Sequence, residues 1–210
     1  MKSFRSKSGD GSAGTDRRAP APNHVVHFYD EQQALVQSAA SFLAGGLLRG
    51  APAIVIIAPH RTEAMKTKLS EMGVDVARAL GSRQLTLLDS AATVELLLVD
   101  GMPDAHRFRE EIGARVASVM EIWRPFQLLA FGDMVDVLYT RGDADAAIEL
   151  ERLWDELAHR YGFALYCAYD ATQFSHDQHR AAFDAICRHH DLIIPVQQGL
   201  RPEADKPVQA

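Results

Sequence analysis

The feature of this sequence that most restricts its fold is the alternation of apolar runs with amphipathic segments. AIVIIA at 53–58 and FALYCAY at 163–169 are continuous apolar runs, typical of strands covered on both faces. Between such runs, apolar residues recur every three or four positions, as from Ile148 to Tyr161, which indicates helices. Because strands separated by helices favour right-handed crossovers, we predict an α/β fold with three layers, α/β/α, and a mostly parallel sheet.

The same periodicity of apolar residues predicts the remaining strands and helices along the chain. Strands are predicted at 24–29, 53–58, 84–88, 125–131, 163–169 and 192–195. Helices are predicted after each of the first five strands, including one of about two turns over 91–99, a short one over 135–140 and one from Ser175 to His190.

Composition indicates one folded domain. The chain has 210 residues, 47% of them hydrophobic, which is enough to bury a substantial core. Residues 1–23 are rich in glycine, proline and serine without periodicity, so we predict a disordered N-terminal segment. Residues 196–210 have the same character and are predicted to form a flexible tail. The folded unit is therefore expected at 24–195.

Charge and hydropathy exclude several classes of partner. The net charge is −6 and the lysines and arginines are scattered, so direct binding of nucleic acid is not expected. No apolar run approaches the roughly 20 residues that span a bilayer, and no secretory signal pattern is present. We therefore expect a cytoplasmic protein without a membrane partner. In that compartment Cys167 and Cys187 are expected to be reduced core side chains.

Polar residues cluster just past the predicted strands. Because the carboxyl ends of parallel strands share one edge of the sheet, these residues are expected to converge in space. Such a set can bind a small polar ligand. The predicted ligand-binding residues are His27, Tyr29, His60, Arg61, Asp89, Asp133 and Asp170.

A plainer interpretation stands beside this one. An aspartate that precedes a helix most often caps it, and we favour that role for Asp30 and Asp89. For Asp133 a cap and a binding site are equally good interpretations. His27 and Tyr29 lie two apart on a strand and point the same way, so they could also satisfy each other inside the core.

Motifs that would indicate catalysis or a cofactor are missing. The sequence has no Gly-x-x-x-x-Gly-Lys-Ser/Thr phosphate loop and no Gly-x-Ser-x-Gly nucleophile turn. Its nine histidines show no His-Glu-x-x-His spacing, and His24 and His27 point to opposite faces of their strand. We therefore expect no catalytic residue, no cofactor and no metal site.

Several segments together resemble a known family. They are HVVHFYD, AIVIIAPHR, LLVDGMPDAHRF, the FGDM turn, AAIELERLWDELAHRYGFALYCAY and ICRHHDLIIP, and as a set they are similar to the MEDS sensory domain over nearly all of 24–195. The resemblance implies a RecA-like fold that has lost its phosphate loop. It also implies that the domain serves as an input module in bacterial signalling and that its ligands are small hydrocarbon-derived molecules. His27 and Tyr29 match the family's opening His-x-Tyr, and Asp133 stands where the family usually has glutamate. Ala51 departs from an acidic residue common in the family.

Two functional hypotheses follow. The first is a non-catalytic bacterial signalling module that senses a small organic molecule and relays it to a protein such as a histidine kinase or a transcription regulator. The alternative is a divergent RecA-like nucleotide-binding protein or hydrolase that uses Asp133 as acid or base, near His60 and Arg61. A scaffold that forms a homodimer through its helices fits the same residues.

Overall fold

The computed structural model describes residues 23–174 and 180–195, and its centre is a parallel sheet of six strands. Strands run side by side in the order β3-β2-β6-β7-β1-β8, while β4 and β5 form a separate antiparallel pair. The strands are β1 His24–Tyr29, β2 Ala53–Ile57, β3 Leu85–Asp89, β4 Leu98–Val99, β5 Met102–Pro103, β6 Leu129–Gly132, β7 Ala164–Asp170 and β8 Leu192–Ile194.

Helices connect the strands and cover both faces of the sheet. They are α1 Gln32–Leu48, α2 Pro59–Glu71, α3 Val76–Gly81, α4 Ser90–Leu97, α5 Ala105–Phe108, α6 Ala114–Ile122, α7 Met134–Thr140, α8 Ala144–Tyr161 and α9 Arg180–Arg188. A π-helical turn, Arg109–Gly113, joins α5 to α6, and a 3-10 turn, Ala171–Phe174, follows β7.

The sheet separates two apolar cores because successive side chains of a strand point to opposite faces. On one face Val25 and Tyr29 pack with α1, α2 and α3. On the other face Val26 and Phe28 pack with α4 to α9. The predicted three-layer α/β/α fold with a mostly parallel sheet is thereby confirmed.

The strand order decides which loops meet at the carboxyl edge. The chain leaves β1, crosses to β2 and β3 on one side, and later returns to insert β6 and β7 between β2 and β1. The residue after β6, Asp133, therefore lies between the loop after β2 and the end of β1. A position where the chain reverses direction across a parallel sheet is where such folds open a ligand crevice.

Two predicted elements are wrong in extent. The strand predicted at 125–131 begins only at Leu129, because 123–126 form a turn in which Phe126 N donates to Trp123 O at 2.9 Å. The helix predicted over 91–99 ends at Leu97. Asp100 and Gly101 both have positive φ and form the two-residue turn of a hairpin, so 98–99 are strand instead.

Of the two aspartates expected to cap helices, Asp89 does so and Asp30 does not. Asp89 does cap α4, since its Oδ1 accepts a hydrogen bond from Ala92 N at 3.0 Å, as predicted. Asp30 does not cap α1, because the turn places Glu31 at the capping position and that side chain makes no capping bond. The extra residue between β1 and α1 moves Asp30 out of reach.

Within 23–174 and 180–195, none of the helices is long and apolar enough to cross a membrane. Of the predicted flexible segments at 1–23 and 196–210, only Asn23 lies within the described residues, and 175–179 of the last predicted helix also lies outside them.

Candidate ligand-binding site

A buried arginine lies at the centre of the candidate site. Arg61 is in the first turn of α2, which starts at Pro59 directly after β2, and only 7% of the residue is exposed. Its Nη1 donates to Asp133 Oδ2 at 2.7 Å and its Nη2 donates to the Tyr29 hydroxyl at 2.7 Å. Its Nε donates to Gln32 Oε1 at 3.3 Å. One guanidinium therefore joins β1, α1 and the end of β6.

Asp133 is held as an ion-pair partner rather than as a cap. It occupies the capping position of α7 without making a capping hydrogen bond. Its Oδ2 accepts a second hydrogen bond, from Ala58 N at 3.1 Å, while its buried Oδ1 has no partner among the described residues. The tight turn after β6 directs the carboxylate back toward β2, which explains why the helix loses its cap.

A second carboxylate, Asp136, extends the network to β7. The Tyr29 hydroxyl donates to Asp136 Oδ2 at 2.7 Å, and Asp136 Oδ1 accepts from Asp170 N and from Gln173 Nε2, each at 2.9 Å. Asp136 was not among the residues predicted from the sequence. The available signal was a lone carboxylate in the apolar helix MVDVL, on the same helical face as Asp133 three residues earlier.

Burial and charge shift the proton affinities of this network. Burial raises the pKa of Asp136, although the hydrogen bonds from Asp170 N and Tyr29 oppose the shift. Burial and the nearby Asp136 carboxylate raise the pKa of the Tyr29 hydroxyl above its ordinary value. Burial opposes the charge on Arg61, but the Tyr29 hydroxyl oxygen and the Asp133 carboxylate stabilise the cation and raise the guanidinium pKa. Arg61 is therefore a fixed cation and Tyr29 stays neutral.

A groove opens between α1 and α2 directly over this network. It has a volume of about 710 Å³. Its polar lining includes Gln32, His60 and Arg61 at one end and Lys68 along α2, while Ala34, Val36 and Ala64 supply apolar surface. The side chains that line the groove are Glu31, Gln32, Gln33, Ala34, Val36, Gln37, His60, Arg61, Ala64, Thr67 and Lys68.

The hydrogen bonds in the groove fix which atom of His60 carries a proton. His60 Nε2 lies 3.1 Å from Gln32 Oε1, and the same oxygen accepts from Arg61 Nε. Since arginine only donates, the amide must present its oxygen here, and His60 Nε2 must carry hydrogen. His60 Nδ1 and the amide nitrogen of Gln32 can then contact a bound molecule.

The structure brings four of the seven predicted residues into one connected site. Tyr29, Arg61 and Asp133 form the buried network, and His60 lies at its exposed end through Gln32. Asp170 is adjacent: its backbone N donates to Asp136, while its carboxylate accepts from Thr172 N at 2.9 Å.

Two predicted residues lie apart from this network. His27 is 2% exposed and its Nδ1 lies 3.0 Å from the Tyr166 hydroxyl, so Tyr166 rather than Tyr29 is its partner inside the core. Burial lowers the pKa of His27. Asp89 is exposed at the end of the edge strand β3, where it caps α4.

The fold and the site define a class of protein: a parallel α/β sheet that has a polar site at its carboxyl edge and no phosphate loop in its sequence. The model of the family described as MEDS, the MEthanogen/methylotroph, DcmR Sensory domain, matches residues 23–190. Because the match covers most of the chain, the protein belongs to the MEDS family, and the resemblance noted in the sequence is confirmed.

Other comparisons bear on the fold alone. None of the curated proteins matches the chain. A crystal structure of the uncharacterized protein PH0321 from Pyrococcus horikoshii, in complex with an unknown peptide, is similar with a TM-score of 0.60 and 12% sequence identity. The similarity covers 83% of this chain and 78% of that one.

Proposed function

We propose that this protein is a sensory module that binds a small polar organic molecule in the groove between α1 and α2. On binding, it passes the signal to another protein, such as a histidine kinase or a transcription regulator. Membership of a family of sensory domains supports the signalling role. The observation that carries the proposal is the contact of Arg61 with both Gln32 in the groove and Asp133 beneath it.

The size and chemistry of the groove suit a small guest. Ligand pockets usually have volumes of roughly 300 to 1,000 Å³, with apolar walls and a few polar groups, and the groove has the same character. The first turns of α1 and α2 border it, and helix N-termini carry partial positive charge. Lys68 adds a cation. A molecule with a carboxylate or hydroxyl group and a short apolar part fits these features.

The network beneath the groove offers a route for the signal. Gln32 contacts Arg61, Arg61 contacts Tyr29, and Tyr29 donates to Asp136 at the start of α7. A ligand carboxylate that replaces the Gln32 oxygen as acceptor of the Arg61 Nε hydrogen changes the interaction of the guanidinium with Tyr29. Since Asp136 also holds the turn after β7 through Asp170 N, α7 and this turn would respond together.

The contacts of Asp133 speak against the alternative role of catalytic base. Its Oδ2 already accepts hydrogen bonds from Arg61 and Ala58 N, and the residue is fully buried. The Asp133 side chain does not line the groove, so it does not face a molecule bound there. We therefore expect binding without turnover.

Thermal unfolding of the full-length protein in the presence of small molecules tests this function. The panel comprises acetate, methanol, methylamine and magnesium-ATP, with released phosphate measured for the last. We expect at least one of the organic compounds to raise Tm, since a ligand that binds only the native state stabilises it. We expect no phosphate release.

Matched histidine variants locate the binding site. His60→Ala should reduce the Tm shift, whereas His106→Ala, which removes another exposed histidine far from the groove, should leave it unchanged. Steady phosphate release that Asp133→Ala abolishes would favour the hydrolase instead. A shift that His60→Ala and Gln32→Ala both leave intact would place the ligand elsewhere and contradict the proposed site.

A further inference from the structure

Four potential metal ligands from separate elements meet on the other face of the sheet. His24 begins β1, Cys167 lies in the middle of β7, Glu151 is in α8, and His190 follows the end of α9. Their side chains are enclosed between the sheet and the two helices. Each offers one ligand atom, and the four atoms all lie within 4.8 Å of one another.

Three of the six distances between these atoms match a tetrahedral metal site. His24 Nε2 lies 3.6 Å from Glu151 Oε2 and 3.6 Å from Cys167 Sγ, and His190 Nε2 lies 3.5 Å from Glu151 Oε2. Two nitrogen or oxygen ligands of a tetrahedral zinc ion, each about 2.1 Å from the metal, are about 3.4 Å apart, and sulfur at about 2.3 Å lengthens that distance slightly. The two nitrogen–oxygen separations are too long for good hydrogen bonds, and all three distances match the edges of such a tetrahedron.

Both histidines are held with Nε2 turned toward the shared centre. His24 Nδ1 lies 3.3 Å from Asp155 Oδ1, and His190 Nδ1 lies 2.8 Å from the carbonyl oxygen of Ile186. Since both partners are acceptors, each Nδ1 must carry the hydrogen, and each neutral ring then presents a lone pair at Nε2. Metal-binding histidines are oriented in this way by a carboxylate or a backbone carbonyl.

The charge of the cluster favours a bound cation. Glu151 is fully buried, and neither of its carboxylate oxygens has a hydrogen-bond partner among the described residues. His190 Nε2 is buried and equally without a partner there. An unpaired carboxylate is costly to bury unless a positive charge lies beside it. A divalent ion bound to the Glu151 carboxylate and the Cys167 thiolate would make the site neutral.

We propose that His24, Glu151, Cys167 and His190 bind one zinc ion that fixes α8 and α9 to the sheet. Nitrogen and sulfur ligands select zinc over magnesium and calcium, which prefer oxygen. Four protein ligands leave no open position, so the role is structural. This site is independent of the groove, because it lies on the face that packs against α8 and α9.

Metal content and a cobalt spectrum test the proposal. Untagged full-length protein, expressed with zinc in the medium and dialysed, should contain about one zinc per chain by mass spectrometry of the metals. After removal of metal with a chelator, added Co²⁺ should give the visible bands of a tetrahedral ion and the near-ultraviolet band of a thiolate bound to cobalt. Zinc should then raise Tm above that of the metal-free protein.

Matched cysteine variants identify the sulfur ligand. Cys167→Ser should abolish the thiolate band, whereas Cys187→Ser, which changes the other cysteine, should retain it. Asp155→Ala, which removes the carboxylate that orients His24, should weaken zinc binding about 10- to 100-fold. Where Cys167→Ser does not fold, Glu151→Gln supplies the second variant and should lower zinc content.

Results on the wild-type protein alone can overturn the proposal. Protein without zinc, with no thiolate band on cobalt addition and no change of Tm with zinc, would mean that the cluster is a metal-free hydrogen-bonded core. Zinc that remains bound in both Cys167→Ser and Glu151→Gln would lie at another place and would equally contradict the site.

Discussion

Arg61 and Asp133 form a buried ion pair, 2.7 Å between Nη1 and Oδ2, that joins the loop after β2 to the end of β6. The same guanidinium donates a hydrogen bond to the Tyr29 hydroxyl, which in turn donates one to Asp136. Because the pair lies directly beneath the groove, its integrity matters both for stability and for the response to a ligand.

Removal of Asp133 should destabilise the protein strongly. Asp133→Ala leaves Arg61 buried without its nearest anion, and breaking a buried pair in this way costs about 3 kcal/mol. Urea unfolding followed by circular dichroism measures the loss. Asp145→Ala, at an exposed position of α8, is the matched control and should change the free energy of unfolding by less than about 0.5 kcal/mol. Equal effects of the two variants would contradict the assigned pair.

The Tyr29 hydroxyl should contribute through two hydrogen bonds. Tyr29→Phe removes the hydrogen bond that Arg61 Nη2 donates to the hydroxyl and the one that Asp136 Oδ2 accepts from it. The free energy of unfolding should therefore fall by about 2 kcal/mol. Tyr161→Phe, which changes a half-buried tyrosine at the end of α8, serves as control. Chemical denaturation measures the free energy of unfolding of both variants. A Tyr29→Phe protein as stable as the wild type would show that the two hydrogen bonds of the Tyr29 hydroxyl make no net contribution to stability.

Asp136 should give the stability of the protein a specific pH dependence. Burial raises the pKa of this carboxyl in the folded protein, so the folded state holds its proton more tightly than the unfolded state. The resulting stabilisation is complete below the unfolded pKa of about 3.9 and is lost as the pH rises through the raised folded pKa.

Asp136→Asn removes this ionisation and provides the comparison. The free energy of unfolding of the wild type minus that of the variant should fall as the pH rises from the unfolded pKa through the folded one. Urea titrations at a series of pH values measure this difference. A difference that increases with pH would mean that the folded pKa of Asp136 is lowered instead.

Asp89 should matter for helix stability rather than for the groove. Asp89→Ala removes the cap of α4 and should cost about 1 kcal/mol. The Tm shift produced by an organic ligand should remain as in the wild type, because Asp89 does not line the groove. Loss of that shift in Asp89→Ala protein would extend the binding site to the edge strand.

The sequence predicted the fold well because the alternation of apolar runs and helices depends on local periodicity. It also placed Asp133 just past a buried strand and Arg61 at the same edge of the sheet, and the two form an ion pair there, while their part in ligand binding stays a prediction. Gln32 and Asp136 were missed, since their roles depend on how α1 and α7 pack against the loop after β2. Strand order, which sequence periodicity does not reveal, decides these contacts.

The proposed zinc ligands escaped sequence analysis for a related reason. His24, Glu151, Cys167 and His190 come from four separate elements, so no short spacing joins them. Their chain positions give no motif, and only the packing of α8 and α9 on the sheet brings them together.

A nuclear magnetic resonance titration tests the central claim most directly. Acetate added to ¹⁵N-labelled full-length protein should shift the backbone amides of Gln32, His60 and Arg61 first. Amides of Asp136 and Asp170 should shift with the same apparent affinity, because the buried network connects them to the groove. Amide shifts confined to surfaces away from α1 and α2, with acetate or with the other organic compounds of the panel, would contradict a sensory groove at this edge.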